Sequence, residues 1–108
     1  QTIHKYPSGL CNRYCCILHE TSIAIFNLVF IDGNHQEKPT ITYFKECLKY
    51  ANNDTIFIFD DIHWSKGMQN SWEHIKSDKK TTLTVDLFYL GIVFIKSELS
   101  KEHYTIRF

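Results

Sequence analysis

The stretch that decides the fold is Phe-Asn-Leu-Val-Phe-Ile at residues 26–31, followed directly by Asp32-Gly33-Asn34. The run is apolar and shows no polar–apolar alternation, which is typical of a parallel strand buried on both faces. A second run of this kind, Thr-Ile-Phe-Ile-Phe at residues 55–59, stops at Asp60 and Asp61. We therefore predict two neighbouring strands of a buried parallel sheet.

The segment between the two runs has helical periodicity. Pro39 can open a helix, and Asn52-Asn53-Asp54 can close it. Its apolar positions recur at helical spacing: Ile41, Phe44, Cys47 and Leu48. The order strand, helix, strand predicts a right-handed βαβ unit and an α/β fold.

A second amphipathic helix is predicted after the second strand. Ser65 can cap it, and Met68, Trp72 and Ile75 share one face. Residues 81–96 are rich in β-branched and aromatic side chains with a break at residues 89–91, which predicts an antiparallel hairpin. Residues 103–108 form a further strand candidate, whereas residues 1–25 fit neither period well.

Composition limits the class of protein. The 108 residues suit one domain, and twelve basic residues balance twelve acidic ones, so no broad positive field favours nucleic acid. Apolar stretches reach only about six residues, far short of a membrane span. We expect a cytoplasmic protein without a nucleic-acid or membrane partner.

Three of the four cysteines are close together in the sequence. Cys11, Cys15 and Cys16 precede His19. Reduced thiols are the favoured interpretation, because such near neighbours cannot link distant elements as disulfides would. A zinc site is the weaker alternative, since the spacing does not match a usual structural pattern.

The polar residues with chemical potential follow the two predicted strands. In open parallel sheets, ligands bind beyond the carboxyl ends of the strands, where loops and helix N-termini converge. The residues at these ends are Asp32, Gly33, Asn34 and His35 after the first strand, and Asp60, Asp61, His63 and Trp64 after the second. We predict that the two clusters face each other across one site.

Each of these residues also has a structural interpretation. Residues 32–34 make a good turn, and Asp60 and Asp61 can cap the following helix. His35 and His63 suit a surface, Trp64 suits packing, and Asp86 suits a solvent-facing position or a bond within a turn. The sequence alone leaves these alternatives open.

Four short sequence motifs resemble, in their order and spacing, those of a family of bacterial class I S-adenosylmethionine-dependent methyltransferases. They are Phe-Ile-Asp-Gly-Asn-His at 30–35, Phe-Asp-Asp-Ile-His-Trp-Ser at 59–65, Asp-Leu-Phe at 86–88 and the ending His-Tyr-Thr-Ile-Arg-Phe. The resemblance implies the C-terminal half of a Rossmann-like α/β sheet, with the last strand pair as an antiparallel hairpin. We expect residues 1–108 to form one truncated domain, in which residues 1–25 are unassigned and residues 26–108 are that half.

The resemblance implies S-adenosylmethionine as cofactor and methyl transfer to an oxygen or nitrogen of a small-molecule acceptor. Before Asp32 there is only Gly9, and no Gly-x-Gly turn that would let a cofactor approach the backbone. We expect the cofactor-binding strands to be missing, the cofactor-binding residues to stay unknown and the chain to be inactive by itself. The alternative is a non-catalytic, self-associating module that binds at most a metal or a small ligand.

The resemblance also suggests roles for individual residues. Asp32, Asp60 and Asp61 would be ligands of Mg²⁺ or Ca²⁺, although Asp61 stands where the wider catechol-type group has Asn. Without metal, these carboxylates would repel one another and raise their pKa values. Asp32 would be catalytic together with His35 or His63, either of which could act as general base. Asn34 and Trp64 would contact the substrate.

Loss of the preceding strands would leave the strand at residues 26–31 with an open edge, because its family counterpart lies in mid-sheet. Open apolar edges pair or aggregate. We expect either a homodimer or larger assembly through this edge, or its coverage by N-terminal residues around Cys15 to Leu18.

Overall fold

The computed structural model describes residues 2–4, 15–19, 27–32 and 35–108, with side chains described in 28–32 and 35–108. Its strands are β1 Thr2–His4, β2 Cys15–His19, β3 Asn27–Ile31, β4 Ile56–Asp60, β5 Leu83–Asp86, β6 Leu90–Phe94 and β7 Glu102–Thr105. Its helices are α1 Glu37–Leu48 and α2 Lys66–Ser77. The predicted α/β class is confirmed.

The described strands form one mixed sheet in the order β1-β2-β3-β4-β6-β5-β7. β3 and β4 are parallel, as predicted for the two apolar runs. β6 lies antiparallel between β4 and β5, so β5 runs in the same direction as β4. The predicted hairpin within residues 81–96 is therefore confirmed, and β7 adds a parallel strand beside β5.

Both helices cover the same face of the sheet. The Phe44 ring of α1 packs edge-on against Phe57 and Phe59 of β4, with centroids 5.1 and 5.5 Å apart. Trp72 of α2 packs against Phe59 at 6.2 Å. One buried cluster results: Val29, Ile31, Phe44, Cys47, Phe57, Phe59, Ile62, Trp72, Ile75 and Val93. Burial of these apolar surfaces supplies the main driving force for folding.

The helix ends follow from local chemistry. α2 begins where the Ser65 hydroxyl accepts a hydrogen bond from the Met68 N–H at 3.2 Å, which confirms the predicted cap. α1 begins at Glu37, two residues before the predicted start at Pro39. Proline is tolerated there because first-turn N–H groups have no partner within the helix.

The edge of β3 is occupied. β2 pairs antiparallel with β3 along its whole length, from Cys15 opposite Ile31 to His19 opposite Asn27. The expected open edge is therefore wrong for Asn27–Ile31, and the arrangement is the second one considered, coverage from around Cys15 to Leu18. Phe26 lies outside the described residues, and self-association of the chain stays a prediction.

Neither described helix is both long and apolar enough to cross a membrane.

Candidate functional site

The carboxyl ends of β3, β4 and β5 lie at one edge of the sheet, because the three strands run in the same direction. His35, from the segment after β3, lies with its Nε2 atom 2.7 Å from Oδ2 of Asp61, the residue that follows β4. The two predicted clusters therefore meet at this edge of the sheet.

His35 is held on two sides. Besides the hydrogen bond to Asp61, its ring stacks on Trp64 with centroids 4.2 Å apart and planes at 14°. Trp64 is 63% exposed, so it is not a core packing residue. The Asp61 N–H donates to the Tyr89 carbonyl at 2.7 Å, which ties this loop to the β5–β6 turn.

A second histidine–carboxylate pair lies beside the first. His63 Nε2 is 2.7 Å from Oδ2 of Asp86, which is only 5% exposed. The other carboxylate oxygen accepts from the Phe88 N–H at 2.8 Å and from Arg107 Nη1 at 3.1 Å. The interpretation of Asp86 as solvent-facing is wrong, whereas a bond within its own turn is confirmed by the Phe88 N–H.

The pKa of Asp86 reflects two opposing causes. Burial of the carboxylate raises its pKa, because a charge is costly away from water. Four interactions lower the pKa: the hydrogen bond from His63, the hydrogen bond from the Phe88 N–H, the charge of His63 and the hydrogen bond from Arg107. Together they outweigh burial, so the pKa of Asp86 falls below the ordinary aspartate value. Asp86 therefore stays ionised and presents a fixed negative charge to His63.

Both pairs leave one imidazole nitrogen as a base. An ionised carboxylate only accepts hydrogen bonds, so in the neutral ring the proton lies on Nε2 and the lone pair lies on Nδ1. A carboxylate partner also stabilises the imidazolium that forms after proton uptake. The arrangement suits proton acceptance from a bound ligand.

A pocket of 210 Å³ opens beside the second pair, lined by Asp61, His63, Trp64, Phe88 and Tyr89. The His63 ring stacks on Phe88 with centroids 5.1 Å apart, and Tyr89 meets Phe88 edge-on at 4.9 Å. The guanidinium of Arg107 lies 5.2 Å from the centre of the Phe88 ring. The pocket thus combines aromatic walls with one histidine and one carboxylate, which suits a small organic ligand.

Among the described residues, the non-glycine residues with positive φ are His35, Asp61 and Phe88, with φ angles of 59°, 55° and 74°. Asp and His are enriched in this left-handed region, so Phe88 is the strained residue of the three. All three residues contact a site histidine or line the pocket. Such strain persists where surrounding contacts enforce it, and it is typical of functional sites.

The role of Asp32, Asp60 and Asp61 as metal ligands stays a prediction. Among the described residues, no group of three or more His, Cys, Asp or Glu side chains is arranged to hold a metal ion. Oδ2 of Asp61 is occupied by His35 instead. Burial, followed by the charges of Asp61 and Asp32, raises the pKa of Asp60.

The described residues also do not fit the cofactor cradle that the resemblance implies. That cradle needs a strand beside β3 whose carboxyl end lies at the site edge. β2 occupies the position but is antiparallel, so its carboxyl end, His19, lies opposite Asn27 at the other edge. No residue described here can therefore be assigned to S-adenosylmethionine.

Two predicted site residues, Gly33 and Asn34, lie outside the described residues. Four other residues of the site were not predicted from the sequence: Asp86, Phe88, Tyr89 and Arg107. The available sequence signal was that Asp86 and Phe88 belong to one of the quoted motifs and Arg107 to another.

Comparison with known proteins gives one match. A family model described as "Methyltransferase domain" matches residues 11–62, just under half of the chain. This range contains β2, β3, α1 and β4 together with the His35–Asp61 pair. No curated protein and no solved structure matches. The family match supports a methyltransferase domain.

Proposed function

We propose that this chain forms the acceptor side of an S-adenosylmethionine-dependent methyltransferase, which transfers a methyl group to an oxygen or nitrogen of a small molecule. The observation that carries this proposal is the aromatic pocket whose wall contains His63, the histidine that Asp86 holds at 2.7 Å. The family match to residues 11–62 supports the reaction class.

The pocket residues would prepare the acceptor. The exposed rings of Trp64, Phe88 and Tyr89 contact its carbon skeleton, and His63 Nδ1 accepts the proton of its hydroxyl or ammonium group. Asp86 holds the ring orientation and stabilises the imidazolium. A positioned general base of this kind contributes about 10²–10⁴-fold to rate.

S-adenosylmethionine would supply the methyl group, and the described residues offer no cradle for it. We therefore propose that the chain by itself is inactive. Isothermal titration of S-adenosylmethionine and S-adenosylhomocysteine, each with and without Mg²⁺, tests whether the chain binds the cofactor. The expected result is no heat of binding under either condition. Micromolar binding would show that this chain holds the cofactor and would contradict the proposal that it is inactive by itself.

The acceptor side is tested separately with phenol and ethanolamine as simple oxygen and nitrogen acceptors. Binding at millimolar concentration should change the fluorescence of the exposed Trp64, whereas the buried Trp72 reports little. Trp64→Phe should abolish the signal, and Tyr89→Ala should weaken binding. If neither probe changes the wild-type fluorescence, the pocket is not an acceptor site.

If the chain does transfer a radioactive methyl group from S-adenosylmethionine to an acceptor, a variant of His63 tests the role of this residue as general base. His63→Asn should then lower transfer by about 10²-fold or more, because the general base is lost. His74→Asn is the matched control, since His74 lies exposed on α2 outside the pocket. Equal activity of the two variants would contradict the role of His63.

The second candidate function is a non-catalytic, self-associating module that binds a small ligand. The antiparallel direction of β2 beside β3 favours it, because no described strand end faces the site from that side. Probe binding that His63→Asn leaves unchanged, in a chain that self-associates, would favour this module, because the acceptor role requires the His63 ring to contact the acceptor group.

A further inference from the structure

The second face of the sheet is apolar and is left uncovered by both described helices. Nine apolar side chains of the described strands β3 to β6 point to this face, and each is only half-buried: Leu28, Phe30, Ile56, Ile58, Leu83, Val85, Leu90, Ile92 and Phe94. On the opposite face, Val29, Phe57, Phe59 and Val93 are at most 1% exposed beneath α1 and α2. The two faces of the same strands therefore have different degrees of burial.

Strand register makes these nine side chains continuous. Leu28 pairs with Ile56, Ile56 with Phe94, and Phe94 with Leu83. A parallel row runs beside it, in which Phe30 pairs with Ile58, Ile58 with Ile92, and Ile92 with Val85. Directly paired residues point to the same side of a sheet, so the rows form one apolar surface across four strands.

The centre of this surface carries no charge. Asp60 lies at one end, in register with Leu90, and Glu102 lies at β7, in register with Leu83. Tyr104, which is paired with Val85 and is 50% exposed, extends the surface onto β7. A partner for this surface must be flat, apolar and uncharged at its centre.

We propose that a second copy of this chain covers this surface, so that two sheets pack face to face in a homodimer. The same surface on a second copy is flat, apolar and uncharged at its centre, as the partner must be. Two copies related by a two-fold axis bring identical apolar rows together. Sheets pack in this way at a separation of about 10 Å. The zero net charge of the chain adds no repulsion between copies.

The area agrees with a dimer of modest affinity. The surface covers the strands β3 to β7, each of four or five residues. With strands about 4.8 Å apart and about 3.3 Å per residue, its footprint is on the order of 400 Å². This footprint is below the roughly 600 Å² per partner at the lower limit for stable interfaces, so the proposed dimer is a weak and transient one. We expect a dissociation constant on the order of 10 μM.

This interface is independent of the proposed methyl transfer. The pocket at Asp61 and His63 lies at the carboxyl edge of the sheet, and its described lining includes none of the nine apolar side chains. Failure of the dimer would therefore leave the acceptor pocket unaffected, and an inactive pocket would leave the dimer unaffected.

Sedimentation equilibrium of the purified chain between about 1 and 200 μM tests the proposal. The expected result is a concentration-dependent rise from the mass of one chain to twice that mass. Ile58→Lys places a charge at the centre of the surface and should weaken the dimer by roughly 100-fold, because a buried unpaired charge is costly. Gln69→Lys, an exposed change on α2, is the matched control and should leave the dimer unchanged.

Circular dichroism tests whether Ile58→Lys is folded. If this variant is unfolded, Ile92→Thr replaces it, since threonine keeps the branched shape and should weaken the dimer by about 10-fold. A wild-type chain that stays monomeric up to 200 μM overturns the proposal. A dimer of unchanged affinity in the folded surface variants also overturns it, because the contact then lies elsewhere.

Discussion

His63 and Asp86 are 23 residues apart in the chain, yet their side chains meet at 2.7 Å. Asp86 is almost fully buried and also accepts bonds from Phe88 and Arg107. This carboxylate joins the loop after β4, the β5–β6 turn and the C-terminal segment. It therefore contributes both to the stability of the fold and to the position of the proposed base.

Asp86→Asn should destabilise the chain by about 1–3 kcal/mol. An amide presents an NH₂ donor where both carboxylate oxygens accept, so it faces the donors of His63 or Arg107. Urea unfolding followed by circular dichroism measures the loss. Asp54→Asn is the matched control, because its 3.4 Å contact to Lys96 is exposed and should be worth less than about 1 kcal/mol. Equal losses in both variants would contradict the importance of burial here.

The stability of the chain should fall in acid partly because of Asp86. Its pKa is lower in the folded state, so the unfolded chain binds more protons once the pH approaches the ordinary aspartate value. The contribution is present above that value and is lost as the pH falls through the folded pKa, from about pH 5 downward. Urea unfolding between pH 7 and 3 should show a steeper loss for the wild type than for Asp86→Asn. Parallel pH curves would refute this assignment.

Asp60→Asn should stabilise the chain at pH 7 by up to about 1 kcal/mol, or several degrees in melting temperature. Burial and the charges of Asp61 and Asp32 raise the pKa of Asp60, so its ionisation opposes folding. A raised folded pKa gives stability at low pH that is lost as the pH rises through it. The gain in the variant should therefore disappear near pH 3, where the wild-type carboxyl is protonated in both states. Thermal melts at the two pH values check this, and a gain of equal size at both would point to another cause.

Gly91→Ala should destabilise the chain by about 1–3 kcal/mol. A Cβ atom at Gly91 would lie 2.5 Å from the Trp72 ring, which is fixed in the core and must move. Gly67→Ala is the matched control, because its nearest contact would be 3.5 Å from Glu37, and alanine favours the helix. Thermal unfolding should show a lower melting temperature for the first variant and an unchanged or higher one for the second. A neutral Gly91→Ala would mean that Trp72 does not pack against β6.

Much of the fold was determined by the sequence, because hydrophobic periodicity reports directly which residues must leave water. The unbroken apolar runs predicted β3 and β4, and the spacing of Met68, Trp72 and Ile75 predicted the buried face of α2. Carboxylates at both strand ends predicted the edge where the site lies. The pairing of His35 with Asp61 agrees with that prediction.

Only the tertiary structure decided which groups pair and which surfaces stay open. The partner of His63 depends on β6 lying antiparallel between β4 and β5, a long-range arrangement that local periodicity does not encode. Coverage of the β3 edge depends likewise on β2, whose residues showed no clear period. Sequence patterns report the burial of individual segments, whereas strand order and helix placement arise from contacts between distant segments. This is why the apolar runs were recognised as strands, while the second face, which the two described helices leave uncovered, became visible only in the folded chain.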